Sequence, residues 1–431
     1  MNLIFLKRII VLFYLIFLID SKKIVFPFKE TEINSNLLQN QSNLFFKKVY
    51  LNNIYTKIKI GNPAQLIIAT FNSDNTHLIL KDIPNLYNIE GYNTYNYENS
   101  KETFKNITSQ NIESVITRGY SIINETVKLY KDKDYKNTVD IKNFQFELLN
   151  KFDYNNKSKT LSGVIGLKND NENISFIKQL LNNGMIDSEI ITMKYISDNE
   201  GYIYLGEEVD KSDDKNSIKM NNNFDSSLFQ LEMDYVYIKY KNGRTFYSDR
   251  NLLFFFEQGL IFASNGYQKS IYEIFFKDKF EKELCYEEII NLGLDEYTAI
   301  ICKNNIVLKN FPSLNFEING NTFILDTNDL FKKVNNVYYF LAVFSPYIQN
   351  WIIGKPFLKK YQLTFDRNKN KAYYYINANK EKKNNAWVIV LIIFIILLIL
   401  GILLFIFYKY KNNKKITNED IDTVKGNLYD N

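Results

Sequence analysis

The sequence predicts an all-β protein of two similar lobes, and two features lead to that prediction. The first is a series of short strand patterns from Tyr55 to Leu80, in which alternating residues, a turn at Gly61–Pro63 and an apolar run ending at Phe71 follow one another. The second is an internal repeat. A chain of 431 residues is also long for one domain and suits two lobes of ordinary size.

The repeat pairs two short polar loops with two glycines. Asn72-Ser73 is followed by Val164-Ile165-Gly166, and Ala263-Ser264 is followed by Ile352-Ile353-Gly354. The loops are 191 residues apart (263 − 72) and the glycines are 188 residues apart (354 − 166). This similar spacing predicts two homologous β lobes that face a cleft. Each glycine is expected where another backbone approaches closely, since glycine has no Cβ.

Composition argues against several classes of function. The net charge is +5, but the Lys residues are scattered among Asp, Glu and Asn, so there is no basic stripe for a nucleic acid. One His and two Cys cannot supply the clustered ligands of a zinc site, and no Gly-rich phosphate loop is present. We therefore expect no metal, no cofactor and no nucleic-acid partner. His77 has no nucleophile motif near it and is expected to be structural.

An apolar run near the start of the chain predicts a signal peptide at residues 1–20. Lys7 and Arg8 precede the run Ile9–Ile19, which is the order of a secretory signal. No small-residue cleavage site stands out, so an uncleaved anchor is the alternative. Either interpretation sends the middle of the chain into the secretory pathway.

A second apolar run predicts a transmembrane helix at residues 387–408. Val388–Phe407 carries no charge and is long enough to cross a bilayer once, with Trp387 and Tyr408 at its two ends. Together with the N-terminal signal, this predicts a single-pass type I membrane protein of the secretory pathway or cell surface. The lipid bilayer is then a partner through residues 387–408, and residues 409–431 form a cytosolic tail.

Several motifs resemble those of the pepsin-like aspartic proteases, peptidase family A1. Gly61, Pro63 and Gln65 fit the turn that precedes the first catalytic strand in that family. The most specific matches come late in the chain, at Phe311–Gly320, Trp351–Gly354 and Phe365–Arg367. The resemblance covers roughly residues 50–376 and implies a bilobal pepsin-like fold with an inter-lobe cleft.

The resemblance also implies the domain boundaries. The N-terminal lobe is expected at residues 49–206 and the C-terminal lobe at residues 224–378. The polar segment 207–223 between them is expected to be the inter-lobe linker. Residues 21–48 are expected to form a leader or a strand arm.

Both catalytic Asp positions of the family are replaced in this interpretation. Counting from the turn places the first one at Asn72, and the apolar residues before Ala263 place the second one there. The family's two carboxyls share a proton, and one of them activates a water. Neither an amide nor a methyl group can do this, so we expect no catalytic residue. Asp74 lies two residues out of register and is a poor substitute.

Other site residues are inferred from the same resemblance. Ser73 and Ser264 take the positions whose hydroxyls cross to the opposite loop in the family, although two such serines could also arise by chance. Arg118 and Gly119 are candidates for the flap, where an ordinary hairpin is about as good an interpretation.

The two cysteines are expected to form a disulfide. The family usually joins a Cys at the Cys302 position to one further downstream, but none follows here, which leaves Cys285 as the partner. Two free buried thiols are the alternative, and a secretory location disfavours them. Candidate glycosylation sequons occur at Asn40, Asn106, Asn124, Asn156 and Asn173.

Three functions are compatible with these observations. The chain is identified as a divergent, membrane-anchored member of the family that lacks both catalytic Asp residues. Such a pseudo-protease is expected to bind an extended peptide or protein in its cleft. The first alternative is an active aspartic endopeptidase, which Asn72 and Ala263 disfavour. The second is a structural surface glycoprotein, which the sequence does not separate from a peptide-binding protein.

Overall fold

The computed structural model describes residues 22–30, 42–50, 54–81, 95, 120–130, 136–149, 163–168, 172–207, 217–219, 229–240, 243–247, 251–293, 295–309 and 311–376. All of them belong to one compact unit that ends at Asn377. The predicted signal peptide, transmembrane helix and cytosolic tail lie outside these residues. Within the described ranges, no helix is both long and apolar enough to span a membrane.

The largest sheet has 12 strands and contains both early and late parts of the chain. Its strands, from one edge to the other, are β10 (Ser217–Lys219), β25 (Lys371–Ile376), β24 (Tyr361–Asp366), β8 (Ile190–Tyr195), β9 (Glu200–Leu205), β1 (Ile24–Glu30), β2 (Ile54–Ile60), β3 (Gln65–Asn72), β7 (Gly163–Gly166), β4 (Leu78–Lys81), β6 (Thr138–Leu149) and β5 (Tyr120–Tyr130). The pairing of β24 with β8 joins the two parts.

The strand patterns predicted between Tyr55 and Leu80 are confirmed. In β2 the buried residues Ile54, Thr56, Ile58 and Ile60 alternate with more exposed ones, as a strand with one face in the core requires. β3 is buried on both faces from Ile67 to Phe71, because it pairs with β2 on one side and β7 on the other.

A second sheet has 9 strands and is built from residues after 229. Its path is β11 (Gln230–Glu232), β14 (Asn251–Phe254), β23 (Trp351–Ile353), β15 (Ile261–Ser264), β22 (Ala342–Ser345), β17 (Asp295–Lys303), β21 (Val337–Phe340) and β20 (Phe331–Val334), with β16 (Cys285–Leu292) paired to β17. A four-stranded sheet consists of β13 (Gly243–Tyr247), β12 (Tyr235–Tyr240), β18 (Ser313–Ile318) and β19 (Asn321–Leu325).

The helices are short and fill the spaces between sheets. They are α1 (Ser42–Tyr50), α2 (Phe176–Asn182), α3 (Asn265–Ile271), a π-helical turn (Tyr272–Phe276), α4 (Lys277–Glu281), α5 (Thr327–Leu330) and α6 (Lys355–Leu358). Helix α2 ends at Asn182, two residues before Gly184. Gly184 has a φ of +63°, and its amide and that of Met185 bond back to Leu181 and Leu180.

The core has a main cluster and a smaller one. The main cluster draws on the 12-stranded, nine-stranded and four-stranded sheets and includes Phe71, Phe365 and Trp351. The smaller cluster forms where α1 packs on the nine-stranded sheet through Phe45, Phe46 and Val49. The sequence does not predict this helix, because residues 21–48 show only the pattern of a leader or strand arm. The same region also supplies β1, which lies between β9 and β2.

Candidate functional site

The first loop of the site begins where β3 ends. Asn72 is paired with Gly166 of β7, and its carbonyl accepts a hydrogen bond from the Leu167 amide at 3.0 Å. The Asn72 side-chain oxygen accepts from the Asp74 amide at 2.8 Å, which closes a local Asx turn. A Cβ on Gly166 would lie 2.5 Å from the carbonyl oxygen of Asn75, so the expected close backbone approach is present.

A second loop repeats this arrangement, but not at the predicted residues. β14 and β23 run parallel as β3 and β7 do, with Phe254 opposite Ile353 as the last pair. The next residue, Phe255, donates its amide to the Ile353 carbonyl at 3.0 Å, which puts it beside Gly354. A Cβ on Gly354 would lie 2.4 Å from the carbonyl oxygen of Phe255. Phe255 therefore takes in the second half of the chain the place that Asn72 takes in the first.

The structure corrects the placement of Ala263 and Ser264. Ala263 is fully buried inside β15, opposite Phe344 of β22. Ser264 caps α3, where its hydroxyl accepts from the Gly266 amide at 3.3 Å instead of crossing to the other loop. The residues Ala-Ser-Asn-Gly look like the expected loop in sequence, yet strand pairing puts the loop eight residues earlier (263 − 255).

Ser73 makes the contact between the two loops. Its hydroxyl accepts from the Phe256 amide at 2.9 Å and donates to the Glu257 carboxylate at 2.9 Å. The Ser73 amide lies 3.2 Å from each oxygen of the same carboxylate. The predicted crossing of the Ser73 hydroxyl is therefore seen, but its partners are Phe256 and Glu257.

Glu257 is half-buried and lies among charged groups from other elements. Burial raises the pKa of its carboxyl above the ordinary value, although hydrogen bonds from Ser73 and the charge of Lys355 act against this. Burial also lowers the pKa of Lys355 to about 8, partly offset by Glu30. Sequence reasoning missed both residues. The sequence did offer one signal for Lys355, because this residue directly follows the repeated Ile-Ile-Gly motif.

Glu30 of β1 completes this group of charges. Its carboxylate accepts from Tyr195 at 2.8 Å and binds the Lys359 ammonium at 3.1 Å. Burial alone would raise the pKa of Glu30, but Lys355 and Lys359 hold it below the ordinary value. Charged groups of β1, α6 and the second loop thus act on one another electrostatically, with Glu30 and Lys355 buried and Glu257 and Lys359 partly exposed.

Helix α1 covers the nine-stranded sheet beside the second loop. A Cβ on Gly259 would lie 2.5 Å from the carbonyl oxygen of Val49, so the helix backbone touches the loop directly. Tyr50 packs edge-on against Phe262, and the Glu257 charge contributes to the raised pKa of Tyr50, behind burial and Asp295. A segment of the chain's own backbone therefore occupies one side of the candidate site.

The remaining predicted residues are only partly described. Cys285 and Cys302 form the predicted disulfide between β16 and β17. Asn173 is exposed, whereas Asn124 lies in β5 with its side-chain oxygen buried. The flap candidates Arg118 and Gly119 and the sequons at Asn40, Asn106 and Asn156 lie outside the described residues.

In the part of the chain that is described, no group of three or more His, Cys, Asp or Glu side chains could hold a metal ion.

The comparison with protein families decides the family of this chain. The model described as eukaryotic aspartyl protease matches residues 53–374, which is 322 of 431 residues (374 − 53 + 1). The chain belongs to this family. The match runs from β2 into β25 and includes both loops of the candidate site, so these loops belong to an aspartyl protease domain. A search of curated proteins finds no match.

Proposed function

We propose that this aspartyl protease domain is a pseudo-protease that binds an extended peptide or protein segment without cutting it. The observation that carries the proposal is the pair of residues at the equivalent positions of the two loops, Asn72 and Phe255. Neither side chain can accept and donate a proton near neutral pH, whereas acid–base catalysis needs a group that does both.

The nearby carboxylates are committed to other contacts. Asp74 is paired with Lys168 at 3.4 Å, and its side chain is 62% exposed. Glu257 is held by the Ser73 amide and hydroxyl. A shared proton requires two carboxyls in direct contact. We infer that Asp74 and Glu257 do not replace the missing pair.

The packing of α1 supports binding of a peptide near the loops. Its backbone touches Gly259, and its aromatic side chains are buried against the nine-stranded sheet. This face therefore has the shape and apolar character to hold a polypeptide segment. A ligand that used the same face would compete with α1, and we propose that it carries aromatic side chains in the places of Phe45 and Phe46.

The proposal can be tested with the purified full-length protein and a peptide library. Peptides captured by the protein are sequenced, and cleavage is followed in the same tubes at acid and neutral pH. We expect capture without cleavage. Cleavage that persists through purification and disappears in the variant Asp74→Ala with Glu257→Gln would overturn the proposal and show an endopeptidase. Capture of no peptide would favour a structural role.

We also propose that the protein is anchored in a membrane as a type I protein. The support is the signal pattern at residues 1–20 and the charge-free run Val388–Phe407. Alkaline carbonate extraction of membranes tests this, because a spanning helix stays in the pellet. Deletion of residues 386–431 is expected to release the protein into the medium. Retention of that variant in membranes would point to residues 1–20 as an uncleaved anchor.

A further inference from the structure

Strand β16 forms an edge of the nine-stranded sheet. It pairs antiparallel with β17 along its whole length and with no other strand that the structure describes. The Lys303 amide donates to the Leu284 carbonyl at 2.8 Å, so these two residues are a hydrogen-bonded pair. Because hydrogen-bonded and non-hydrogen-bonded pairs alternate in an antiparallel ladder, Glu287, Ile289 and Asn291 belong to non-hydrogen-bonded pairs.

The backbone of these three residues therefore points away from β17. Within the described part of the chain, their N–H and C=O groups have no hydrogen-bond partner. The side chains are exposed as well, and that of Ile289 belongs to a residue that is 65% exposed. An edge of this kind is a template for one more strand, since each outward N–H and C=O can pair with the backbone of an extended segment.

The hairpin of β16 and β17 carries charge of one sign. Residues 283 to 302 include no Lys, Arg or His, and their acidic residues are Glu283, Glu287, Glu288, Asp295 and Glu296. Glu287 and Glu288 lie at the centre of the edge strand, with side chains on opposite faces of the sheet. Glu287 accepts from Gln268 of α3, and Glu288 accepts from Ser42 of α1. The free edge is therefore flanked by a carboxylate on each face.

We propose that β16 is the docking edge for an extended basic segment of a partner protein, which adds a strand beside it. The two consecutive acidic residues select two consecutive basic residues, because opposite charges on neighbouring strands attract. Ile289 selects an apolar residue next to them. A second copy of β16 is disfavoured, since antiparallel pairing would bring the acidic residues of the two copies close to each other. This edge belongs to neither loop of the candidate site, so the proposal does not depend on peptide binding at those loops.

A short synthetic peptide provides the probe. Fluorescein-labelled Thr-Val-Lys-Lys-Val-Thr-amide presents two basic residues between apolar ones in either strand direction. Its anisotropy is measured with the full-length protein over a range of salt concentrations. We expect binding that weakens as salt rises, because exposed charges are screened. The matched control has Glu-Glu in place of Lys-Lys, and we expect it to bind about tenfold more weakly, since both charge pairs become repulsive.

The backbone of the added strand is tested separately from its charge. Ile289→Pro removes one outward N–H and keeps the ladder with β17, to which the Ile289 amide does not donate. We expect binding to fall about tenfold through the loss of one hydrogen bond. Ile289→Val keeps the N–H and is expected to bind like the wild type. A Lys-Lys peptide methylated at its four central backbone nitrogens makes the same test on the other strand, and it decides even if Ile289→Pro does not fold.

Hydrogen exchange shows where the peptide docks. We expect the Lys-Lys peptide to slow exchange at the amides of Glu287, Ile289 and Asn291, while residues 255–257 of the second loop stay unchanged. Protection at residues 255–257 in place of β16 would put the basic peptide at the loops and overturn the proposal. It would leave peptide binding at those loops standing, so the two proposals fail separately.

Other results would also overturn the docking edge. One is absence of binding by the Lys-Lys peptide, and another is equal binding by the Glu-Glu or the methylated peptide. A third is protection of β16 before any peptide is added. If that protection grows with protein concentration, a second copy occupies the edge, and if it does not, the chain covers the edge itself.

Discussion

Phe45 stacks on Tyr339 with ring centroids 3.8 Å apart and 20° between the ring planes. Phe45 lies on α1 and Tyr339 on β21, so this contact fixes the N-terminal helix to the nine-stranded sheet. Phe46 meets the same ring edge-on at 5.6 Å. The two phenylalanines are fully buried, and they account for much of the apolar area that α1 covers.

We predict that Phe45→Ala loosens α1. Truncation of a buried Phe typically costs about 3–5 kcal/mol, and here the loss falls on the packing of a single helix. Hydrogen exchange in residues 42–50 is expected to accelerate while that of β8 stays constant. Lys47→Ala is the matched control, because Lys47 lies on the exposed side of the same helix. Equal exchange in both variants would contradict the role assigned to Phe45.

We predict that Gly354→Ala destabilises the protein, whereas Gly266→Ala does not. The new Cβ at Gly354 would lie 2.4 Å from two backbone oxygens, so the second loop has to move. Overpacking of this kind costs about 1–3 kcal/mol. At Gly266 the nearest atom is 3.7 Å away. Urea unfolding of the two variants measures the difference, and similar midpoints would refute the close approach.

We predict that loss of the Cys285–Cys302 disulfide lowers the free energy of unfolding by about 3 kcal/mol. The bridge closes a loop with a sequence separation of 17, and it ties the edge strand β16 to β17. The double variant Cys285→Ser with Cys302→Ser should match the reduced wild type in thermal unfolding. A reductant that leaves the wild type unchanged would show that the bridge contributes little.

We predict that His77 adds stability at acid pH that is lost as the pH rises. Its Nδ1 lies 2.6 Å from Glu147 and its Nε2 lies 3.2 Å from Glu172. Burial lowers the pKa of His77, but the hydrogen bond and charge of Glu147, with help from Glu172, outweigh it and raise the pKa. The contribution is therefore complete below about 6.5, the ordinary value, and disappears as the pH passes the raised pKa.

This prediction can be measured directly, because His77 is the single His in the chain. Its imidazole resonances should titrate above the ordinary value, and His77→Gln should remove that pH dependence from urea unfolding. Glu147→Gln is expected to lower the pKa more than Glu172→Gln, because the Glu172 side chain is 64% exposed and that of Glu147 is 16% exposed. A titration at the ordinary value would contradict the ion pairs.

The first half of the site could be predicted from sequence, and the second half could not. The turn and strands that lead to Asn72 have local patterns of alternation, glycine and proline, and these are visible in one stretch of chain. The second loop is Phe255-Phe256-Glu257. None of its residues is identical to the corresponding residue of Asn72-Ser73-Asp74, so the two loops do not look alike in sequence. The position of the second loop is set by the pairing of β14 with β23, almost 100 residues later in the chain.

Glu257 and α1 were missed for a related reason. A glutamate after three phenylalanines looks like a surface residue until the opposite loop is known. The helix is 9 residues long, which is too short to be stable alone, so its formation depends on the sheet beneath it. The disulfide was easier to predict from the sequence, because two cysteines allow one intramolecular pairing.

The pairing of β24 with β8 joins residues from the two halves of the chain in one sheet. Residues 361–366 hydrogen-bond to residues 190–195, and the hydroxyls of Thr192 and Thr364 meet at 2.7 Å where both residues are fully buried. A protease that cut the polar connection at 207–223 would therefore leave two fragments that remain associated, since the 12-stranded sheet takes β24 and β25 from one fragment and β1 to β9 from the other. The nicked protein is expected to migrate as one species until it is denatured. If the halves are expressed separately, the 12-stranded sheet is expected to form only when both fragments are mixed.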